Sequence, residues 1–242
     1  MFRQVRKIHT IPTLSYDTAN GIPGLFSPSA LRVAWTDHQT DIVSRLSEAV
    51  VDTDNEARIP FHILLNTARR ADRAHVFNYA SQAHNNHLFF ESLTSHETAA
   101  KASPSPALLR RIEERFGSVE NLKQAFKEAT ATVHGNGWIF LIEQPDKKLD
   151  IVSSHNAGTP YHFGRQQSLD LAGPVSEDDL AHLQKLQHKI NAKEKNFNIA
   201  LLALNLWQHA YILDFGIAGR EDYIEAWWRA LDWNKINARL YN

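Results

Sequence analysis

A short β-hairpin between stretches of helical sequence is the feature that most restricts how this chain can fold. Residues 138–142 and 149–153 are rich in β-branched and aromatic side chains, and the Gln-Pro-Asp-Lys-Lys run between them is typical of a turn. Helical spacing or an apolar run predicts helices on either side, in the segments 29–50, 58–93, 108–116, 118–133, 199–215 and 222–231. The pattern predicts a mixed α+β protein in which helices come first and the strands later.

Composition excludes several classes of protein. The 242 residues are 43% hydrophobic and 22% charged, which is typical of a globular chain with one large or two small domains. No apolar run approaches the roughly 18–20 residues of a membrane span, so we expect a soluble protein without membrane contact. The chain has 26 basic and 27 acidic side chains, so it has almost no net charge. Any contact with nucleic acid must therefore be local. The chain has no cysteine and therefore no disulfide, thiolate nucleophile or cysteine-based metal site.

The first 16 residues differ from the rest of the chain in charge. They contain Arg3, Arg6 and Lys7 among apolar side chains, and the first acidic residue is Asp17. A basic, acid-free and weakly amphipathic start is typical of a mitochondrial presequence. The alternative is a basic disordered tail with no targeting role, and charge alone leaves both interpretations open.

Residues 161–198, between the second predicted strand and the last apolar run, have the composition of a surface insertion. A helix is predicted from about Ser176 to Lys195, with Ser176 and Asp179 resembling a capping box. Its narrow apolar stripe consists of Leu180, Leu183, Leu186 and Ile190. The segment is either a solvated insertion packed on its own domain or an element that docks a partner, and we favour the partner.

Histidines are the remaining candidates for chemistry, and the chain has 13 of them. His84 and His87 are three residues apart on a predicted helix, and His209 follows Trp207 closely. Two histidines at this spacing lie near one face of a helix, as metal ligands require. However, the sequence contains no HxxxH or HExxH frame, and neither a catalytic triad nor a carboxylate pair is evident. Spacing alone therefore does not predict a metal site or an active site.

Five ordered segments resemble the iron/manganese superoxide dismutase family in order and spacing, namely residues 76–90, 135–138, 151–160, 206–211 and 222–228. Gln82 and the Asn-Ala-Gly-Thr-Pro run at 156–160 are similar to the iron-type branch. The resemblance implies an N-terminal helical hairpin domain over 17–103. It also implies a C-terminal α/β domain over 104–242 with a three-stranded antiparallel sheet, interrupted by the insertion at 161–198.

The family binds its metal through three histidines and one aspartate. The resemblance places most of these four positions on residues that cannot act as such ligands. The first ligand position falls on Trp35, the second on Asn86 and the third on Asn205, and His209 alone is retained. An indole has no lone pair for a metal. His87 is one residue past the ligand position, which rotates it about 100° from that face of a helix.

Residues around the ligand positions are altered as well. The resemblance implies that Gln39 replaces a histidine of the substrate channel, Val43 a tyrosine above the metal, Gln208 a glutamate that bridges subunits and Ile212 a tyrosine of the dimer contact. With Gln82, these five residues form a degenerate surrounding shell. The pairs Trp35 and Gln39, Gln82 and Asn86, and Asn205 and His209 are each four apart, so we expect three helices to direct one face each at a common point.

One imidazole and two neutral amides supply neither the donors nor the charge that a redox metal needs. We therefore predict no bound metal, no cofactor and no enzymatic activity. The chain resembles in particular the inactive superoxide-dismutase-like proteins of the small subunit of fungal mitochondrial ribosomes. That resemblance implies a location in the mitochondrial matrix, small-subunit ribosomal proteins as partners, a heterodimer with a similar paralogue, and limited rRNA contact. The alternatives are an active dismutase with an atypical metal site and an inactive interaction protein outside the ribosome.

Overall fold

The computed structural model describes residues 8–68, 70–161 and 198–240, and its first half is helical. The helices are α1 (Pro28–Leu31), α2 (His38–Val50), α3 (Pro60–Thr67), α4 (Ala74–Glu91), α5 (His96–Ala99), α6 (Pro106–Phe116) and α7 (Val119–Ala131). A π-helical segment, Arg32–Asp37, joins α1 to α2 without a break. The side chain of Ser27 accepts a hydrogen bond from Ala30 N, and Pro28 occupies the first turn, which together explain where this long helix begins.

The second half contains a three-stranded antiparallel sheet with the order β2–β1–β3, formed by β1 (Gly137–Glu143), β2 (Leu149–His155) and β3 (Ile199–Asn205). Three helices follow it, α8 (Gln208–Phe215), α9 (Arg220–Arg229) and α10 (Trp233–Arg239). Trp138 of the central strand pairs with Ser154 on one side and Asn205 on the other. The α+β class, the hairpin and the three-stranded sheet are confirmed.

The prediction of one helix over residues 199–215 is wrong. Residues 199–205 form β3, and only the part from Gln208 onward is helical. β3 packs against α4 and α10, and six of its seven residues are buried. A strand buried in this way is almost continuously apolar, so its sequence lacks the alternation that identifies a half-exposed strand.

The main hydrophobic core spans both halves of the chain. Its largest fully buried side chains come from α4 and from the sheet with its following helices, and include Phe89, Phe90, Trp138, Phe140 and Trp227. A smaller cluster lies between α2, α3 and α4, formed by Leu46, Val50, Ile63, Leu64, Val76 and Ala80. The helical half therefore has its own apolar contacts but shares the main core with the sheet.

The ends of the predicted insertion meet in the structure. Asn198 Nδ2 donates a hydrogen bond to the carbonyl oxygen of Pro160 at 2.9 Å. The helix predicted from about Ser176 to Lys195 lies outside the described residues. In the part of the chain that the structure describes, no helix is both long and apolar enough to cross a membrane.

Candidate functional site: a centre closed by amides

Three buried amide side chains from separate elements form a chain of hydrogen bonds at the centre of the protein. Asn86 of α4 donates from Nδ2 to Oε1 of Gln39 on α2 at 3.0 Å. Asn205, the last residue of β3, donates from Nδ2 to Oδ1 of Asn86 at 3.4 Å. Gln39 is 1% exposed, and both asparagines are fully buried. The positions that the resemblance assigned to two ligands and one neighbouring group are therefore joined to each other.

The ends of this amide chain bond to the backbone. Gln39 Nε2 donates to the carbonyl oxygen of Ala83 at 2.9 Å, and Asn205 Oδ1 accepts from the backbone N–H of Trp207 at 2.8 Å. Asn86 Nδ2 also lies 3.3 Å from the carbonyl oxygen of Ala34. Each of the three amides has both its oxygen and its nitrogen engaged or in contact within the protein. A buried polar network of this kind is satisfied without any added ion.

His209 lies beside a second histidine that the sequence analysis did not identify. The rings of His38 and His209 are 4.1 Å apart between centroids. Within the described residues, both Nε2 atoms are buried without a hydrogen-bond partner. Burial, assisted by the neighbouring His38, lowers the pKa of His209 to about 3, and burial also lowers the pKa of His38. Both imidazoles are therefore neutral at physiological pH.

Trp35 packs against aromatic side chains near the end of α4. Its ring is 5.2 Å from that of Phe90 and 6.1 Å from that of His87, between centroids, and it belongs to the main core. The π-helical segment explains this position, since the N–H of His38 donates to the carbonyl of Val33, five residues earlier. In such a turn, Ala34 and Gln39 share a face. The expectation that Trp35 and Gln39 share one face of the helix is therefore wrong. The assignment of the first ligand position to Trp35 stays a prediction.

The assumption that Asn205 and His209 share one helix is also wrong. Asn205 ends β3, whereas His209 is the second residue of α8. The two residues still approach the same region, because the chain turns at Leu206 and Trp207 between the strand and the helix. A strand end and a helix start thus replace the single helical face that we expected.

The other residues of the predicted surrounding shell have varied surroundings. Val43 packs with Ile42 and Ala83 in a small apolar cluster. Gln82 donates from Nε2 to the carbonyl oxygen of Asn156 at 3.4 Å. Gln208 is exposed and Ile212 is partly exposed on α8. Among the hydrogen bonds of the described residues, Gln39 is therefore the one residue of this shell that is part of the amide chain.

Iron or manganese does not fit this set of donors. The resemblance implies a metal held by three imidazoles and a carboxylate that partly neutralises its charge, whereas this centre offers neutral amides and the neutral pair His38 and His209. Within residues 8–68, 70–161 and 198–240, no cluster of three or more His, Cys, Asp or Glu side chains is arranged to hold an ion. The arrangement can bind the elements α2, α4 and β3 together, but it lacks the ligands for redox chemistry.

A cavity of about 530 Å³ lies on the outer side of Gln39 and Val43. Its walls are residues 8–12, helix α2, the loop before α3, and Ala83, His84 and His87 of α4. His84 Nε2 is hydrogen-bonded to the hydroxyl of Tyr161 at 2.8 Å, and burial lowers the pKa of His84 to about 3. Burial also lowers the pKa of His87. The lining therefore combines apolar residues and the two histidines of α4 with the charged residues Glu56 and Arg58 of the loop before α3.

Comparison with known proteins identifies the scaffold. Residues 104–172 and 172–239 match the family model of iron/manganese superoxide dismutases, C-terminal domain. The chain belongs to the iron/manganese superoxide dismutase family. A match over these ranges covers more than half of the chain, including the sheet, Asn205 and His209.

Relatives within this superoxide dismutase family include proteins of two kinds. The chain is 35% identical to small ribosomal subunit protein mS43 of Schizosaccharomyces pombe over 97% of its own length and 85% of that protein. It is 29% identical to small ribosomal subunit protein mS42 of the same organism over 76% of its length and 74% of that protein. An iron superoxide dismutase of Bordetella pertussis is 27% identical over 93% of the chain and 95% of the enzyme.

Proposed function

We propose that this chain is a non-enzymatic structural component of the small subunit of the mitochondrial ribosome. The observation that carries the proposal is the hydrogen-bonded chain of the neutral amides Gln39, Asn86 and Asn205, two of which stand at positions that the resemblance assigns to metal ligands. The similarity to mS43 and mS42 supports a role in a small ribosomal subunit.

The energetics of the centre support a protein without metal-dependent activity. Moving a divalent or trivalent ion into this fully buried region would remove its hydration, and the neutral donors would not compensate for that loss. The amides would also have to break hydrogen bonds that already satisfy them. The alternative of an active dismutase with an atypical metal site therefore requires the site to be rebuilt.

Metal content tests this conclusion directly. Protein expressed with added iron or manganese should contain far less than one metal per chain and should show no superoxide dismutation. A superoxide dismutase expressed and purified in parallel is the control for metal supply. Near-stoichiometric metal together with activity would overturn the non-enzymatic assignment.

Ribosome association separates the proposal from an inactive interaction protein that acts elsewhere. A tagged chain should co-sediment with small ribosomal subunits from mitochondria in a sucrose gradient. Sedimentation only in the light fractions would contradict the ribosomal role while leaving the absence of metal unaffected.

We further propose import into the mitochondrial matrix, supported by the basic, acid-free residues 1–16 and by the similarity to the ribosomal relatives. A C-terminal fluorescent fusion of the full chain should localise to mitochondria. The same fusion with Arg3, Arg6 and Lys7 replaced by glutamine is the matched control and should remain in the cytosol. A cytosolic signal from the unmodified fusion would exclude import.

The proposed partners are other small-subunit proteins and, in a heterodimer, a similarly diverged paralogue. Support comes from α8 and the turn after it, where Leu213 is 56% and Ile217 is 81% exposed next to the altered positions Gln208 and Ile212. Large exposed apolar side chains that are close in sequence favour coverage by another protein. In addition, two different small-subunit proteins of one organism both match this chain.

Hydrodynamics can test the heterodimer. A mixture of this chain with its paralogue should sediment as a one-to-one complex, and a variant with Leu213→Ser and Ile217→Ser should not form it. Ile59→Ser is the matched control, because Ile59 is a similarly exposed apolar side chain, 57% exposed, on a different element, directly before α3. A stable homodimer that persists when the paralogue is added would refute the proposal.

Contact with rRNA is proposed to be limited, because the formal charge of −1 gives the chain no general attraction for phosphate. Cross-linking of assembled small subunits should yield few adducts on this chain. Tight, strongly salt-dependent binding of the isolated chain to RNA would contradict this expectation.

A further inference from the structure

Residues 8–16 belong to the folded protein, although they lie within the basic segment at the start of the chain. The backbone N–H of His9 donates to Ser47 Oγ at 3.1 Å, and its ring Nδ1 lies 3.3 Å from the same oxygen. Its Nε2 lies 2.8 Å from the carbonyl oxygen of Arg58, and since a carbonyl only accepts, Nε2 is the donor. His9 thereby connects the segment to α2 and to the loop before α3.

The end of the same segment is bound to the main core. Leu14 is only 9% exposed and is a member of that core. The hydroxyl of Tyr16 donates to the carbonyl oxygen of Phe90 at 3.0 Å, and burial raises the pKa of Tyr16 well above its usual range. Removal of these residues would expose apolar surface and leave the carbonyl of Phe90 without this donor.

The segment also forms part of the cavity beside the amide chain. Ile8, His9, Thr10 and Pro12 form one wall of the 530 Å³ cavity, whose other walls include Gln39, Val43 and Ala83. Without this wall, the cavity would be more open to water beside Gln39, the first member of the amide chain. Residues 9–16 therefore support the part of the fold that holds the amide chain.

We infer that the mature chain begins no later than His9, so that the presequence is cut within residues 1–8 and not at the end of the basic segment near Asp17. This inference rests on the proposed mitochondrial import. The reaction is the hydrolysis of one peptide bond by a presequence peptidase. Water adds its hydroxyl group to the new carboxyl end and a proton to the new amino end. Arg3, Arg6 and Lys7 lie within the eight residues in which the cut falls.

Truncation of the purified protein tests the structural part. Deletion of residues 2–7 should leave Tm within about 2 °C of the full chain, whereas deletion of residues 2–16 should lower Tm by more than about 5 °C or prevent folding. His9→Ala should lower Tm, and Thr13→Ala, at an exposed position, is the matched control. Equal Tm values for the two deletions, or for the two substitutions, would overturn the inference.

The N-terminus of the chain recovered from mitochondria tests the position of the cut. Sequencing should find a first residue between positions 2 and 9. A recovered chain that starts after His9, or that retains Met1, would overturn the inference. A chain absent from mitochondria would instead refute the proposed import, while the Tm comparison would still decide whether residues 9–16 belong to the fold.

Discussion

Asn205 Nδ2 and Asn86 Oδ1 lie 3.4 Å apart and join the end of a strand to the middle of a helix. Because Asn86 also bonds to Gln39, one asparagine connects three elements of the fold. Neither residue is exposed to solvent, so water cannot replace these hydrogen bonds if one of them is lost.

Replacing Asn86 by leucine should therefore destabilise the protein. The substitution keeps a similar volume but leaves Gln39 Oε1 and Asn205 Nδ2 without this partner, which should cost about 2–4 kcal/mol in the free energy of unfolding. Urea denaturation measures the change. Asn78→Leu on the exposed side of α4 is the control and should alter stability by less than about 0.5 kcal/mol. Equal effects of the two substitutions would show that the amide chain contributes little.

Stability should fall as the pH is lowered from about 6.5 towards 3. The pKa of His209 and that of His84 are lowered to about 3, both chiefly by burial, from the ordinary value of 6.5. Below pH 6.5 the unfolded state binds protons that the folded state does not, so each histidine costs up to about 1.4 kcal/mol per pH unit in this range. The stability that these neutral imidazoles contribute is fully present above pH 6.5.

The histidine contribution can be isolated by substitution. His209→Gln should make the free energy of unfolding less dependent on pH between 6 and 4, as measured by denaturation at several pH values. His75→Gln, at an exposed position of α4, should leave the slope nearly unchanged. An unchanged slope for His209→Gln would show that this imidazole is not held neutral in the folded protein.

Arg239 of α10 is expected to be important for stability. Its guanidinium donates to Glu91 at 2.7 Å, to Ser92 Oγ at 2.6 Å and to the carbonyl oxygen of Leu201 at 2.9 Å. Arg239→Met should cost about 2–4 kcal/mol, because several buried or half-buried acceptors lose their donor. Arg239→Lys should recover only part of this, since an ammonium lacks the planar set of donors. Arg229→Met, at an exposed position, provides the baseline for thermal or urea denaturation.

Replacement of residues 162–197 by a short Gly/Ser linker should leave the domain folded. The hydrogen bond between Asn198 and Pro160 places the two ends side by side, and loop-closure entropy changes slowly with loop length. We expect a Tm within about 4 °C of the full chain and loss of the protein from small ribosomal subunits. Unfolding of the variant, or undisturbed ribosome association, would contradict a docking role for the segment.

The sequence predicted the fold well wherever a pattern has one structural interpretation. The hairpin at 138–153 and the helix at 108–116 agree with the structure, and Gly117, directly after that helix, adopts a positive φ of 83° as a helix-terminating glycine does. β3 could not be separated from a helix, because a strand buried by α4 and α10 shows no alternation. The third strand of the sheet was predicted only by the family resemblance.

The candidate site was predicted in part. The resemblance placed Asn86, Asn205 and His209 in one region, and the structure brings the two asparagines together. His38 and the carbonyl of Ala34 were missed, because the π-helical turn shifts the register within an otherwise regular helix. That turn depends on tertiary packing, and the rule that residues four apart share a helix face does not reveal it. Nor does the sequence show which amide donates to which.

The closed amide chain has a consequence for how the protein is made. A dismutase that depends on its metal must receive an ion during maturation, and its yield follows the supply of that ion. In this chain, Gln39, Asn86 and Asn205 complete the interior with atoms of the polypeptide itself. Under the proposed function, the chain folds without a delivered metal ion, and the yield of folded protein does not follow the supply of iron or manganese.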